Sequence, residues 1–189
     1  MDHIVTAAAW GLFMQVDRRI QSRIGRFEIA ATVNATALAV AGVVQIVDCI
    51  WGECELTDFT NWIRNIAICY YLADLPRCSR LMVLHHIATI SIFAFTPSFP
   101  WFVSSLLLLE VPLPPLNYAL WIRGRGLPVP TWLKAVIVVT YFLTRVAIFP
   151  TAYVLHFWRI FAVHPLLPAP YALLVVLGVR WFHEIVSKC

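Results

Sequence analysis

Six ionisable side chains stand inside apolar runs of this chain. His85 and His86 are adjacent in LMVLHHIATIS, Asp74 closes YYLAD ahead of Pro76, and Glu110 lies in LLLLEVPLPPLN. Arg145 is in YFLTRVAIFP and Arg180 in LGVRWFH. Near neutral pH an imidazole serves as general base, nucleophile or ligand. Neighbours on a helix point about 100° apart, so one histidine can face a cavity while the other supports it or meets the next helix. Asp74 could orient one imidazole, as a carboxylate does in acyl-transfer triads. The plainer reading of the histidines is hydrogen bonding between helices; that of Asp74 is a headgroup-level carboxylate paired with Arg77 or Arg80.

Glu110 falls about nine residues into its apolar run and Arg145 is similarly deep. A charge at such a depth needs a partner, so a Glu110–Arg145 pair that fixes how two helices pack is expected. Thr89, one turn beyond the histidines, lies on a neighbouring face. Asn117 and Arg180 are expected to hydrogen-bond between helices, Arg180 close enough to an interface to snorkel.

These residues are unusual because of what surrounds them. Of 189 residues, 61% are hydrophobic and only 13% charged, about half the charged share of a soluble domain. The mean hydropathy is +0.79. So few charges cannot cover that much apolar surface, which predicts an all-α, polytopic membrane helix bundle. The formal net charge of +4 is no nucleic-acid footprint, so membrane lipids are the expected partners and self-association stays open.

Six apolar segments position the polar residues: 27–50, 62–75, 81–95, 101–122, 132–155 and 166–186. The first, fourth, fifth and sixth reach the roughly 20 residues a helix needs to cross the hydrocarbon core; the second and third are short. Loop charge supports six transmembrane helices. Arg18, Arg19, Arg23 and Arg26 precede the first span, and WGECELTDFTN after it has neither Lys nor Arg. Arg77 and Arg80 follow the second, TPSFP is uncharged, and Arg123, Arg125 and Lys134 cluster after the fourth. Arg159 stands alone in the next loop and Lys188 ends the series. This alternation obeys the positive-inside rule and puts both termini in the cytosol, with Arg64 as a mild exception. Residues 1–26 are an expected interfacial segment in which 4–16 lies on the membrane with Trp10 and Phe13 inserted, an extra half-span being the alternative. Residues 27–189 form the transmembrane domain. The opening MDHIVTAAAWGLFMQV has no basic stretch ahead of its apolar run, so no secretory signal is expected.

In VPLPPLN, Pro112, Pro114 and Pro115 must interrupt the fourth span. Such a break is tolerated where protein or a water-filled cavity satisfies the freed backbone groups, so a cavity is expected beside it. No metal or other cofactor is expected: the five cysteines show no ligand spacing, and no span carries HxxxH. His156, His164 and His183 suit interfacial roles, Cys49 and Cys54 could form a disulfide on the non-cytosolic side, and Cys78 is a juxtamembrane palmitoylation candidate. The Asn34-Ala35-Thr36 sequon is inside the first span, so glycosylation is not expected there.

YYLADLPR, LMVLHHIATIS, LLLLEVPLPPLNYALW, TYFLTRVAIFP and RWFHEIVSK, in that order over residues 27–188, resemble the TLC-domain family. These are polytopic proteins, mostly of the endoplasmic reticulum. They include ceramide synthases, which join an acyl chain from acyl-CoA to a sphingoid base, and smaller members tied to lipid composition or cargo export. HHIAT looks like the opening of the synthase motif, which implies that His85 or His86 is a nucleophile or general base in sphingolipid metabolism, with acyl-CoA as co-substrate. The synthases carry two further aspartates downstream, whereas none follows Asp74 here, and the run with Glu110 and Asn117 looks like the smaller non-synthase members. The resemblance therefore implies lipid metabolism or homeostasis, with an acyltransferase and a non-catalytic lipid-binding, lipid-sensing or export protein as open alternatives.

Overall fold

In a computed structural model of the chain, residues 29–51, 58–95, 100–163 and 165–187 are described. The expected interfacial segment at 4–16, with Trp10 and Phe13, lies outside them, as do Cys54 and His164. Helix α1, Ile29–Trp51 (23 residues), has no proline and turns small residues inward, with Ala30, Ala35, Ala41 and Gly42 all buried. Val33, Val40, Val43 and Val47 point outward. Small inward faces let membrane helices approach closely. A Cβ on Gly42 would stand 3.0 Å from the Cβ of Leu107 and 3.2 Å from the Ser104 carbonyl oxygen.

Helix α2, Asp58–Asp74, ends where Pro76 forces a 3-10 turn, Leu75–Arg77. The chain reverses there and continues as α3, Arg80–Phe95. Helix α4, Pro100–Leu107, tightens into a 3-10 segment, Leu108–Glu110, before α5, Leu113–Gly124. The expected proline break is thus present. Pro112, Pro114 and Pro115 have no N–H to give, and the ladder resumes with Val111 N donating to Leu108 O at 3.1 Å and Leu116 N to Pro112 O at 3.1 Å.

Helix α6, Thr131–Tyr141, widens into a π-helical segment, Phe142–Ile148, and continues as α7, Phe149–Val163. Pro150, two residues past the wide segment, cannot donate, and its ring crowds the carbonyl four residues back; the wider turn makes that room. Helix α8, Pro168–Val186, closes the bundle against α3 and the π segment.

All six apolar segments are helical over their described residues, and no strand occurs among those residues. Four stretches are long and apolar enough to cross a membrane: Ile29–Trp51, Val103–Gly124, Thr131–Ala162 and Pro168–Val186. Helices α2 and α3, at 17 and 16 residues, fall short of that length. The fifth segment outruns the expected end at residue 155, because no helix breaker occurs before Val163. The main core, with Leu38, Tyr71, Ile92, Leu107, Phe149 and Tyr171, joins α1 to α4, α7 and α8, and a smaller one of Ala119, Ile122, Leu133 and Ile137 joins α5 to α6. Large apolar side chains such as Val40, Val139, Leu155 and Trp158 remain on the outside, as an integral membrane protein requires.

Candidate functional site

The two histidines divide their tasks. Both are buried in the second turn of α3. His86 meets Asp74 across the proline turn, Nε2 to Oδ2 at 3.0 Å. The Cys78 thiol donates to the same carboxylate oxygen at 3.2 Å. The His86 ring packs against Tyr71, with centroids 4.8 Å apart, and the Tyr71 hydroxyl donates to Glu110 Oε1 at 3.3 Å. His85 points to the adjacent face, edge-on to Trp181 of α8 at 5.3 Å. Nδ1 of each histidine is buried without a hydrogen-bond partner.

A cavity of about 380 Å³ lies between α3, α5, α6, the π segment and α8. His85, Tyr141, Arg145 and Trp181 form its polar wall, and Leu113, Leu116, Ala119 and Ile137 are among its apolar walls. Arg123, Lys134 and Glu184 also line it, at the end of α5, the start of α6 and the end of α8, so they ring one end of the bundle. His86 and Asp74 do not belong to this wall. The expectation that Asp74 orients a histidine holds for His86, while the histidine at the cavity is the other one.

The expected Glu110–Arg145 ion pair is replaced by an indirect link. Glu110 accepts from Tyr71, and Arg145 Nε donates at 3.1 Å to the carbonyl of Leu109. In a regular helix that carbonyl would take the N–H of Leu113; the proline break frees it, and the guanidinium caps it. The charge of Arg145 lies over the rings of Tyr141 and Trp181, at 4.9 and 5.6 Å, contacts that stabilise a desolvated cation. Gly178 of α8 admits this arrangement, since a Cβ there would stand 3.3 Å from both the Cβ and the carbonyl oxygen of Arg145.

Asn117 bonds between helices as expected, Nδ2 to Thr32 Oγ1 at 2.9 Å. Thr89 bonds locally, its hydroxyl donating to the His85 carbonyl at 2.9 Å. Arg180 corrects its expected inter-helix role: it is exposed and donates to Glu184 one turn along its own helix at 3.2 Å. His156 is not interfacial in the expected way either. It lines a second hollow, about 650 Å³, with Ile46, Ser105, Ala147, Ile148 and Thr151.

Sequence reasoning missed Tyr71, Cys78, Tyr141 and Trp181. Two of these carried a faint signal, Tyr71 lying one turn before Asp74 and Cys78 four residues after it. Tyr141 and Trp181 are aromatics among many, and only the packing of α6 and α8 singles them out.

A family model described as the TLC domain matches residues 3–186. Neither a curated protein nor a solved structure matches the chain.

Proposed function

The chain belongs to the TLC-domain family, and from that premise we propose that it is a membrane protein of lipid homeostasis that holds the chain of an amphiphilic lipid in the cavity beside His85. One observation carries this reading: the cavity has an apolar body, a polar wall deep inside it, and Arg123 and Lys134 at one end of the bundle. An occupant with an apolar chain and a charged or polar head suits such a site. We place six crossings in the membrane, both termini in the cytosol and the protein in the endoplasmic reticulum. The loop charges support that orientation. So does the disulfide of Cys49, next to the acidic loop, with Cys78 at the other end of the bundle a free thiol, since disulfides persist in oxidising compartments.

A second reading, acyl transfer, is favoured by the place of His85 in the cavity wall. His85 Nε2 would attack the thioester carbonyl of acyl-CoA and release the CoA thiolate. A lipid amine would then attack the acyl-imidazole, lose its proton and leave as the amide, returning the free ring. Asp74 supports this step less than the residue types suggested, because it orients His86.

Purified protein in lipid nanodiscs, incubated with radiolabelled acyl-CoA, separates the readings. Acyl transfer predicts a labelled protein species that disappears in His85→Ala and survives in His86→Ala. A folded wild type that takes no label removes the enzyme and leaves lipid binding, which fails in turn if native mass spectrometry finds no lipid retained through the cavity.

A further inference from the structure

We propose that Asp74, Cys78 and His86 form a binding site for one Zn²⁺ ion. Their donor atoms, one carboxylate oxygen, the thiol sulfur and imidazole Nε2, all lie within 4.8 Å of one another. The two edges that meet at Asp74 measure 3.0 and 3.2 Å. Zinc bonds of about 2.0 to 2.3 Å in tetrahedral directions give edges of roughly 3.3 to 3.7 Å. A shift of a few tenths of an ångström therefore makes room for the ion.

Local structure gathers these donors. Asp74 and Cys78 flank the 3-10 turn that Pro76 imposes, and His86 faces them from the second turn of the next helix. The donor set selects the metal. A thiolate and an imidazole favour Zn²⁺ over the hard ions Mg²⁺ and Ca²⁺, which seek oxygen. Charge points the same way. Zn²⁺ with one thiolate, one carboxylate and a neutral imidazole is a neutral unit, the form that costs least where water is scarce. Binding releases the thiol proton. The carboxylate and the thiol are only partly buried, so ion and water can reach the site, with water as the fourth ligand. His86 is then a ligand, and His85 remains free at the cavity.

The inference does not rest on the lipid reading, and its test reads no lipid. Full-length protein in nanodiscs is dialysed against Zn²⁺ and then against metal-free buffer, and metal is counted by mass spectrometry. A parallel sample is loaded with Co²⁺ and its absorption recorded. The site predicts one equivalent of zinc, intense visible bands from tetrahedral cobalt, and a near-ultraviolet thiolate-to-cobalt band. Cys78→Ser should abolish the thiolate band and weaken zinc binding at least 10-fold, whereas Cys69→Ser, at the other free cysteine, should change neither. Asp74→Asn and His86→Gln should also lose zinc, with helical circular dichroism showing that each variant is folded. Wild type that keeps less than about a tenth of an equivalent overturns the proposal, as does Cys78→Ser that binds like wild type, or cobalt with only weak octahedral bands.

Discussion

Ala119→Phe tests whether the cavity holds an acyl chain. Ala119 is buried in α5, lines the cavity and packs beside Ile122, Leu133 and Ile137. The substitution sends a phenyl ring into the hollow, so the added volume fills space before it strains the core. A ring of about six carbons displaces roughly four methylenes of an occupant, each worth about 0.8 kcal/mol of burial. The loss is about 3 kcal/mol, or on the order of 100-fold in affinity. The assay is retention of tritiated single-chain lipids of graded length by protein in nanodiscs, with native mass spectrometry as a second readout. Long chains should lose the most, and chains about four carbons shorter should bind nearly as they do to wild type. This shift in length preference separates filling from damage, because a misfolded protein would lose every chain alike. Uniform loss across lengths, or unchanged binding of the longest chain in a folded variant, refutes the reasoning.

Arg123→Gln combined with Lys134→Gln should weaken retention of anionic amphiphiles up to about 10-fold while sparing zwitterionic ones, a difference that raised salt abolishes; equilibrium binding at two salt concentrations checks it. Arg145→Met leaves the Leu109 carbonyl without its donor, costing about 1 to 3 kcal/mol. Hydrogen exchange should rise around residues 108–113, with a lower melting temperature. Gly42→Val drives a side chain into Leu107 and the backbone of Ser104; about 1 to 3 kcal/mol of overpacking should lower thermal stability by several degrees, whereas Gly124→Ala, with nothing within 4 Å of the new Cβ, should not.

Much of the architecture was readable because hydrocarbon punishes exceptions. Each buried charge among the apolar runs marked a place where protein packs on protein, and VPLPPLN forced a break that the backbone indeed makes. Pair assignments were less legible. Depth alone brought Glu110 and Arg145 together, but Arg145 is drawn to the carbonyl that the prolines free, and Glu110 to the nearby phenol of Tyr71. The histidine pair predicted two faces without saying which one met Asp74. That depends on how Pro76 turns α2 into α3, a backbone geometry with no residue-type signature. Cys78 escaped notice as a ligand because its partners are of other types, so a search for repeated cysteine or histidine spacing cannot find it. The exposed pair of Arg180 and Glu184 shows the converse, since an arginine near a helix end can satisfy itself one turn away.

The wide segment Phe142–Ile148 acts on its helix as a change of phase. Ahead of it and within it, Tyr141 and Arg145 look onto the hollow beside His85. Beyond it, Phe149 and Ile160 are wholly buried, while Ala147, Ile148, Thr151 and Leu155 edge the other hollow. One continuous helix thus serves two chambers, and the count of residues in a single turn keeps both in register. Excising one residue there would restore regular winding and rotate everything downstream by about 100°. Phe149 and Ile160 would swing out of the core and the second chamber would lose its wall, while α6 kept its place beside the first. In this stretch the number of residues carries more structural information than their identity, so a one-residue deletion disturbs the protein more than any substitution that keeps the count.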